Sequence, residues 1–324
     1  MQKLSKVVVT GGAGFIGSHL VERLLEFCNE VVVLDNFSSG KVENLKNVKS
    51  NEKLKVIRLD LLKNNEINDK IANADVVFHI AANPEVRISE PKVHLEQNIL
   101  ATYNVLEAMR KTDVKKIVFT SSSTVYGEAK KIPTPEDYGP LEPISMYGAA
   151  KLASESLISG YSHTYGIIGL VFRFANVVGK RANHGVIYDF IQKLRNNREE
   201  LEILGDGTQR KSYIHVSDCL DAIFHVLDKE SSKYCVYNIG NLDSISVSEI
   251  ADIVIEEMML KNVKKKFTGG VEGGRGWVGD VKYMQLDVSK LISSGWMPKL
   301  SSKEAVRRAC RELLEDIATP VLKR

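Results

Sequence analysis

Cysteine is scarce: four in 324 residues, at Cys28, Cys219, Cys235 and Cys310, too scattered for a disulfide framework or a paired zinc site. They read as small buried hydrophobes in a reducing compartment. The seven histidines show no ligand spacing, so no metal is expected. No apolar run approaches the ~20 residues that span a bilayer, and no signal-peptide pattern precedes the first strand pattern. These absences point to the cytoplasm and away from a membrane. An excess of either charge is missing too. The 44 basic and 41 acidic residues are interspersed and leave a net charge of +3, which gives no electrostatic footprint for nucleic acid or an anionic surface. The basic run Lys261 to Lys266 reads as solvated surface.

What is present is an ordinary soluble composition, 44% hydrophobic and 26% charged, sufficient for one large core or two smaller ones. The first half alternates short β-branched runs with helical patterns. Lys6–Thr10, Val31–Asp35, Lys55–Leu59, Val76–Ile80 and Lys116–Thr120 are predicted strands buried on both faces. The segments between them can hold crossover helices. That rhythm predicts an α/β fold with a doubly wound parallel sheet and right-handed connections. Ile168–Phe172 and Val236–Ile239 could add two strands. From about Asn176 the alternation stops and glycine-rich connections appear. The expected division is a first domain over 1–175, with 213–240 returning to it, and a smaller C-terminal α/β substrate lobe over 176–212 and 241–324.

Thr10–Gly17 reads TGGAGFIG directly after a strand, and helical periodicity follows at Ile16, Leu20 and Leu24. Gly11, Gly14 and Gly17 have the spacing of a dinucleotide turn. The first permits the turn and the second lets backbone approach a pyrophosphate. The third lets helix and strand pack closely, while the helix N-terminus offers unpaired N–H donors. Asp35 ends the second strand about 20 residues on, where a carboxylate can accept a ribose 2′-hydroxyl and would repel a 2′-phosphate. NAD is therefore expected rather than NADP on a Rossmann-type domain. Asp60 ends the third strand as a candidate adenine partner. Ala81 and Ala82, after His79 and Ile80, are small enough to let backbone lie against a cofactor.

Phe119–Gly127 reads FTSSSTVYG, a buried strand running out into hydroxyls. Tyr147 and Lys151 follow four apart, on one face of a predicted helix. A free tyrosine has a pKa near 10; a nearby ammonium and an oxidised nicotinamide would both favour its phenolate. It could then take a proton from an alcohol, with a serine at the neighbouring strand end holding the same oxygen.

These residues resemble the extended short-chain dehydrogenase/reductase family, and within it most the UDP-glucose (UDP-galactose) 4-epimerases. The motifs that carry the likeness are TGGAGFIGSHL, LDNFSSG, HIAANPEV, SSSTVYG, YGAAK, RFANVVG, GDGTQRKSYIHVSD, YNIG and GDVKYMQLD, spread over nearly the whole chain. The resemblance implies a catalytic set of Ser122, Tyr147 and Lys151. It implies cofactor contacts at Phe15, Ile16, Asp35, Asn36, Phe37, Ser38, Ser39, Gly40, Asp60, Leu61, Ala81, Ala82 and Asn98, beside the glycines. It implies substrate contacts at Asn176, Val186, Ile187, Ile203 and Leu204, with Asp280 in the Gly-Asp motif. A homodimer is implied as well, through the helix near Asn98–Arg110 and the helix beginning near Tyr147.

Ser123 and Thr124 stand where related dehydratases carry an Asp-Glu pair and decarboxylases a glutamate; a hydroxyl cannot serve as a carboxylate acid or base. Lys211-Ser212 precede Tyr213 where epimerases usually have Arg-Asp, and Trp277 replaces an arginine before Gly-Asp. Arg210, Lys211 and Arg275 are thus the candidate diphosphate cations, with Arg87 a further one. The implied reaction inverts C4 of a UDP-hexose through a 4-keto intermediate, with Tyr147 as base and no net redox change. Alternatives at this stage are the same chemistry on UDP-GlcNAc/UDP-GalNAc or a UDP-uronic acid, an NAD-dependent oxidoreductase of a small carbonyl, and a non-catalytic NAD-binding protein. Met284, where room for an N-acetyl group is set, is too adaptable to discriminate.

Overall fold

The computed structural model of the chain describes residues 3–63, 66–87 and 90–318. In chain order its strands and its helices of ten residues or more begin with β1 (Leu4–Thr10), α1 (Phe15–Leu24), β2 (Cys28–Asp35), β3 (Leu54–Arg58) and β4 (Val76–His79). Then come α2 (Ala101–Thr112), β5 (Lys116–Ser122), α3 (Met146–Tyr165), β6 (Ile168–Phe174) and β7 (Asn176–Val178). The rest are α4 (Val186–Asn196), β8 (Glu200–Ile203), β9 (Arg210–Lys211), β10 (Tyr213–His215), α5 (Val216–Lys229) and β11 (Tyr234–Ile239), followed by β12 (Ile245–Ser246), α6 (Val247–Glu257), β13 (Lys264–Phe267), β14 (Tyr283–Met284) and α7 (Ser302–Ala318).

The chain divides into two compact units. The first holds the residues up to Val125 with Leu141–Arg173 and Ile223–Tyr237; the second holds Tyr126–Pro140, Phe174–Ala222 and the chain from Asn238 on. The Tyr126–Pro140 excursion therefore groups with the second unit, although sequence order alone had kept it in the first.

The first unit is built on a seven-stranded parallel sheet in the order β11-β6-β5-β4-β1-β2-β3. The reversal of strand order beside β1 is the topological switch point at which such sheets bind ligands. Register between β1 and β2 runs from Leu4 opposite Cys28 to Thr10 opposite Leu34, so Gly11 and Asp35 emerge together at the carboxyl edge. Val8, Val77, Val105, Leu106, Met109, Phe119, Ile158 and Val171 share one core, where each fully buried aliphatic side chain contributes about 1.5–3 kcal/mol. One expectation is corrected here. Residues 54–58 are not buried on both faces: β3 is the edge strand and leaves Lys55, Val56 and Arg58 exposed.

The second unit packs α4, α6 and α7 around short strands. Ile187, Phe190, Ile191 and Leu194 are buried on α4 at the i, i+3, i+4, i+7 spacing of one helical face, against a core that includes Ile250, Val254, Val306 and Leu313. A capping box of Ser246 and Glu249 starts α6. All four cysteines are buried thiols outside any disulfide. Among the described residues no helix is long and apolar enough to cross a membrane.

Candidate functional site

The glycine turn is closed by backbone. Gly11 donates its N–H to the Leu34 carbonyl at 2.8 Å, and Gly14 donates to the Gly11 carbonyl at 3.1 Å. A Cβ on Gly17 would stand 2.1 Å from the Gly11 oxygen, and one on Gly11 would stand 2.7 Å from backbone atoms of Ala81. The close helix–strand approach and the small residues after β4 thus have one cause: backbone packed on backbone. Gly14 caps α1 with no side-chain hydrogen bond, so the first amides of that helix keep their donor capacity and partial positive charge. Phe15 and Ile16, in the first turn, are half-buried, Phe15 with its ring edge on His19.

Asp35 is buried and doubly held, by the Ala13 amide at 2.9 Å and the Phe37 amide at 2.8 Å. A Cβ on Gly40 would meet this carboxylate at 2.9 Å, so the loop of Asn36, Phe37, Ser38 and Ser39 folds back over it; Phe37 takes a left-handed φ of 59° to do so. Asp60 accepts from the Leu62 amide at 3.0 Å, and the Leu61 carbonyl accepts from Asn104 at 2.8 Å. Asn98 is buried and braces Asn83, its Oδ1 accepting the Asn83 amide at 2.7 Å. Ala82 is half-buried beside it in sequence, and Arg87 is exposed and paired with Glu85. A helix start without a side-chain cap, the glycine turn before it and a carboxylate at the end of β2 fit a dinucleotide.

The residues expected to do chemistry come together in the same unit. Ser145 caps α3 by accepting the Gly148 amide at 3.1 Å. A Cβ at position 148 would lie 2.6 Å from the Thr124 carbonyl, so glycine there lets the start of α3 touch the turn that follows β5. That approach brings Tyr147 within hydrogen-bonding reach of Ser122. The Ser122 oxygen accepts from the Thr124 amide at 3.2 Å and its hydroxyl at 3.0 Å, which leaves the serine proton to be donated. Lys151 is buried, donates to the Thr120 carbonyl at 2.7 Å, and lies 5.8 Å from the centroid of the Tyr147 ring.

The expected phenolate rests on two positive charges, an ammonium and an oxidised nicotinamide, and the chain by itself supplies only the first. Burial pushes Tyr147 up to about 12, opposed by the Ser122 hydrogen bond. Burial also pulls Lys151 down to about 7, opposed by the charge of Glu155. In the chain alone desolvation outweighs proximity, and Tyr147 is a phenol.

Sequence reasoning missed the polar layer beneath this set. His79 is fully buried between Thr10, at 2.7 Å, and Thr102, at 3.0 Å, and burial holds it neutral at about 3. His94 is buried with its ring centroid 6.0 Å from that of Tyr147. Glu155 pairs with Arg173 from β6. Its place four residues after Lys151, on the same helical face, was the available signal.

In the second unit Lys211 and Arg275 converge on Asp280. Lys211 reaches its carboxylate at 2.5 Å; Arg275 donates to its carbonyl at 3.0 Å and is clamped by both carboxylate oxygens of Glu128. Arg210, next to Lys211 on β9, points to the opposite side, as strand neighbours must, and bonds the Ser244 carbonyl at 2.7 Å and Glu249 at 2.8 Å. Asn176 donates to the Ser212 carbonyl at 3.2 Å. Val186 and Ile187 open α4, while Ile203 ends β8 before Leu204, whose carbonyl accepts from Gln209.

The pattern of motifs over 7–240 matches the model of the NAD dependent epimerase/dehydratase family. The chain belongs to that family. NAD is the cofactor of the family, and the glycine turn and Asp35 fit it. A structure of a UDP-galactose 4-epimerase is similar at 45% identity and a TM-score of 0.85, covering 96% of this chain and 99% of that one. A UDP-N-acetylglucosamine 4-epimerase from Methanobrevibacter ruminantium, in complex with UDP-N-acetylmuramic acid, is similar at 30% identity and a TM-score of 0.86, covering 98% of this chain and all of that one (100%). UDP-glucuronic acid decarboxylase 3 of Arabidopsis thaliana is 32% identical over 93% of this chain and 86% of its own length. As a member of this family the chain is an enzyme of the epimerase/dehydratase type.

Proposed function

We propose that this enzyme inverts C4 of a UDP-hexose, interconverting UDP-galactose and UDP-glucose through a transient 4-keto sugar. The observation that carries the reading is the Ser122–Tyr147–Lys151 group with Ser123 and Thr124, rather than carboxylates, following it. Tyr147 acts as its phenolate, which the ammonium of Lys151 and the positive charge of bound oxidised NAD would together favour over the phenol of the chain alone. It takes the proton of the sugar 4-hydroxyl and later returns it. Ser122 donates to the same oxygen and keeps it in place, and the Lys151 ammonium stabilises the phenolate until it takes that proton. Bound NAD supplies the reversible two-electron acceptor for the sugar carbon, so the reaction has no net redox change. Lys211 and Arg275 hold the diphosphate electrostatically while the sugar turns, with Asn176, Val186 and Leu204 beside the nucleotide sugar and Ile187 and Ile203 in the core behind them.

A dehydratase or decarboxylase needs a carboxylate beside the catalytic hydroxyl, which neither Ser123 nor Thr124 supplies. The sugar itself is the open choice among epimerase substrates, and UDP-GlcNAc and UDP-glucuronate are the second reading because relatives of both chemistries share this scaffold. A homodimer is part of the proposal. Leu95, Leu100 and Tyr103 are exposed beside and on α2, whereas Val105, Leu106 and Met109 of the expected seam are spent in the chain's own core.

The test is incubation of the purified protein, without added NAD, with UDP-galactose, then chromatography of the UDP-sugars. Formation of UDP-glucose is the expected result. Conversion of UDP-GlcNAc or UDP-glucuronate alone would reassign the sugar, and a product lighter by water or carbon dioxide would overturn epimerisation. Light scattering should give twice the chain mass.

A further inference from the structure

Glu155 is a buried carboxylate in the middle of the proposed catalytic layer, and nothing in the reaction above uses it. It is 2% exposed, and it binds two other elements of the first unit to α3. Arg173, on β6, donates from Nε at 3.0 Å and 3.2 Å and from Nη2 at 2.7 Å. The hydroxyl of Ser121, on β5, donates at 2.5 Å. Ser121 is the neighbour of Ser122, and Lys151 lies one turn before Glu155 on the same helical face. One carboxylate therefore meets the strand that carries the serine, the helix that carries Tyr147 and Lys151, and the strand packed beside β5.

The charges around it explain why it is an acid. Lys151, Glu155 and Arg173 are all buried, at 3%, 2% and 5% exposure, so two cations surround one anion. The guanidinium cannot shed its proton; the lysine can. The other groups that face this cluster add no negative charge. His79 on β4 is held neutral by burial, Tyr234 on β11 is held as a phenol mainly by burial, and β5 contributes the Thr120 carbonyl and the Phe119 ring. Tyr147 is the remaining neighbour. With a neutral residue at 155, two cations would share an apolar layer without an anion, and Lys151 would yield its proton first.

We propose that Glu155 is a positioning residue for the reaction: it locks β5 and β6 onto α3 and, as the one anion of this layer, keeps the Lys151 ammonium in place beside Tyr147. The proposal rests on the reading of Ser122, Tyr147 and Lys151 as the catalytic group, and it concerns residues of this chain only.

The experiment is an NMR titration of the Lys151 side chain in purified protein with labelled lysine, assigned as the difference from the same protein carrying Lys151→Met. It is paired with the pH profile of turnover on whichever UDP-sugar the unaltered enzyme converts. In Glu155→Gln the ionisation of Lys151 should move down by about one pH unit or more, because the anion that opposes its desolvation is lost. In the same variant kcat should fall at least about tenfold while KM stays within about threefold, since no substrate contact is touched. A folded Glu155→Gln protein with unaltered titration and profile would overturn the proposal. Should that variant fail to fold by circular dichroism, Glu155→Asp decides. It keeps the charge on a shorter arm, so it should retain the titration and lose kcat; unaltered kcat would overturn the positioning role. If the unaltered enzyme converts no UDP-sugar, the functional reading fails, while the titration still decides the role of Glu155.

Discussion

The ammonium of Lys211 sits 2.5 Å from the carboxylate of Asp280, a residue only 3% exposed and 69 positions away in sequence. Arg275 bonds the carbonyl of the same aspartate, so two cations gather at one buried point, and Arg210 stands on the other side of β9. Replacement of Arg275 or Lys211 by alanine should raise KM for the UDP-sugar about tenfold or more, the scale of a lost charged hydrogen bond. Arg210→Ala should change KM by less than about threefold. Equal effects at the three positions would contradict the assignment of the diphosphate to the Asp280 side.

Tyr147→Phe removes one oxygen and keeps the ring against His94. Turnover should fall by roughly 10²–10⁴-fold, the usual contribution of a positioned acid/base, with an unchanged thermal unfolding midpoint. Turnover near that of the unaltered enzyme would remove Tyr147 from the role of base.

Gly17→Ala places a methyl 2.1 Å from the Gly11 oxygen. The turn must then open, and the amides of α1 lose their aim. The protein should be purified with less than about one tenth of the NAD held by the unaltered chain, measured by absorbance of nucleotide released on denaturation. Full retention would show that the glycine turn is not the pyrophosphate site.

Acid should loosen the second unit through Glu312. Burial alone would raise this carboxyl, but His215 at 3.0 Å, Arg308 at 2.9 Å and the Lys180 amide at 2.9 Å bring it down to about 2. A folded-state value below the unfolded one means stability that is complete above about pH 4.5 and is lost as pH falls toward 2. Glu312→Gln should lower stability at neutral pH by about 1–3 kcal/mol and flatten the acid dependence, read by urea unfolding between pH 3 and 7. An unchanged acid slope would show that the loss arises elsewhere.

The sequence by itself determined the parallel sheet, since β-branched runs such as Val31–Asp35 and Lys116–Thr120 are apolar on both sides and only a two-face-covered strand satisfies that pattern. It determined the glycine turn as well, because the residues that make it are contiguous. The edge position of β3 was not legible: Lys55–Leu59 differs little in composition from a central strand, and which strand lacks a neighbour depends on the order of the whole sheet. The tertiary structure alone decided what depends on side chains distant in sequence. It set Lys211 and Arg275 on Asp280, with Arg210 turned away. It joined Glu155 to Arg173 and Ser121, and it gave desolvation, rather than the nearby ammonium, the larger hold on Tyr147. Local patterns encode strands, helices and turns because their forces act within a few residues. Burial and the pairing of charges depend on the packed environment, which a linear spacing does not contain.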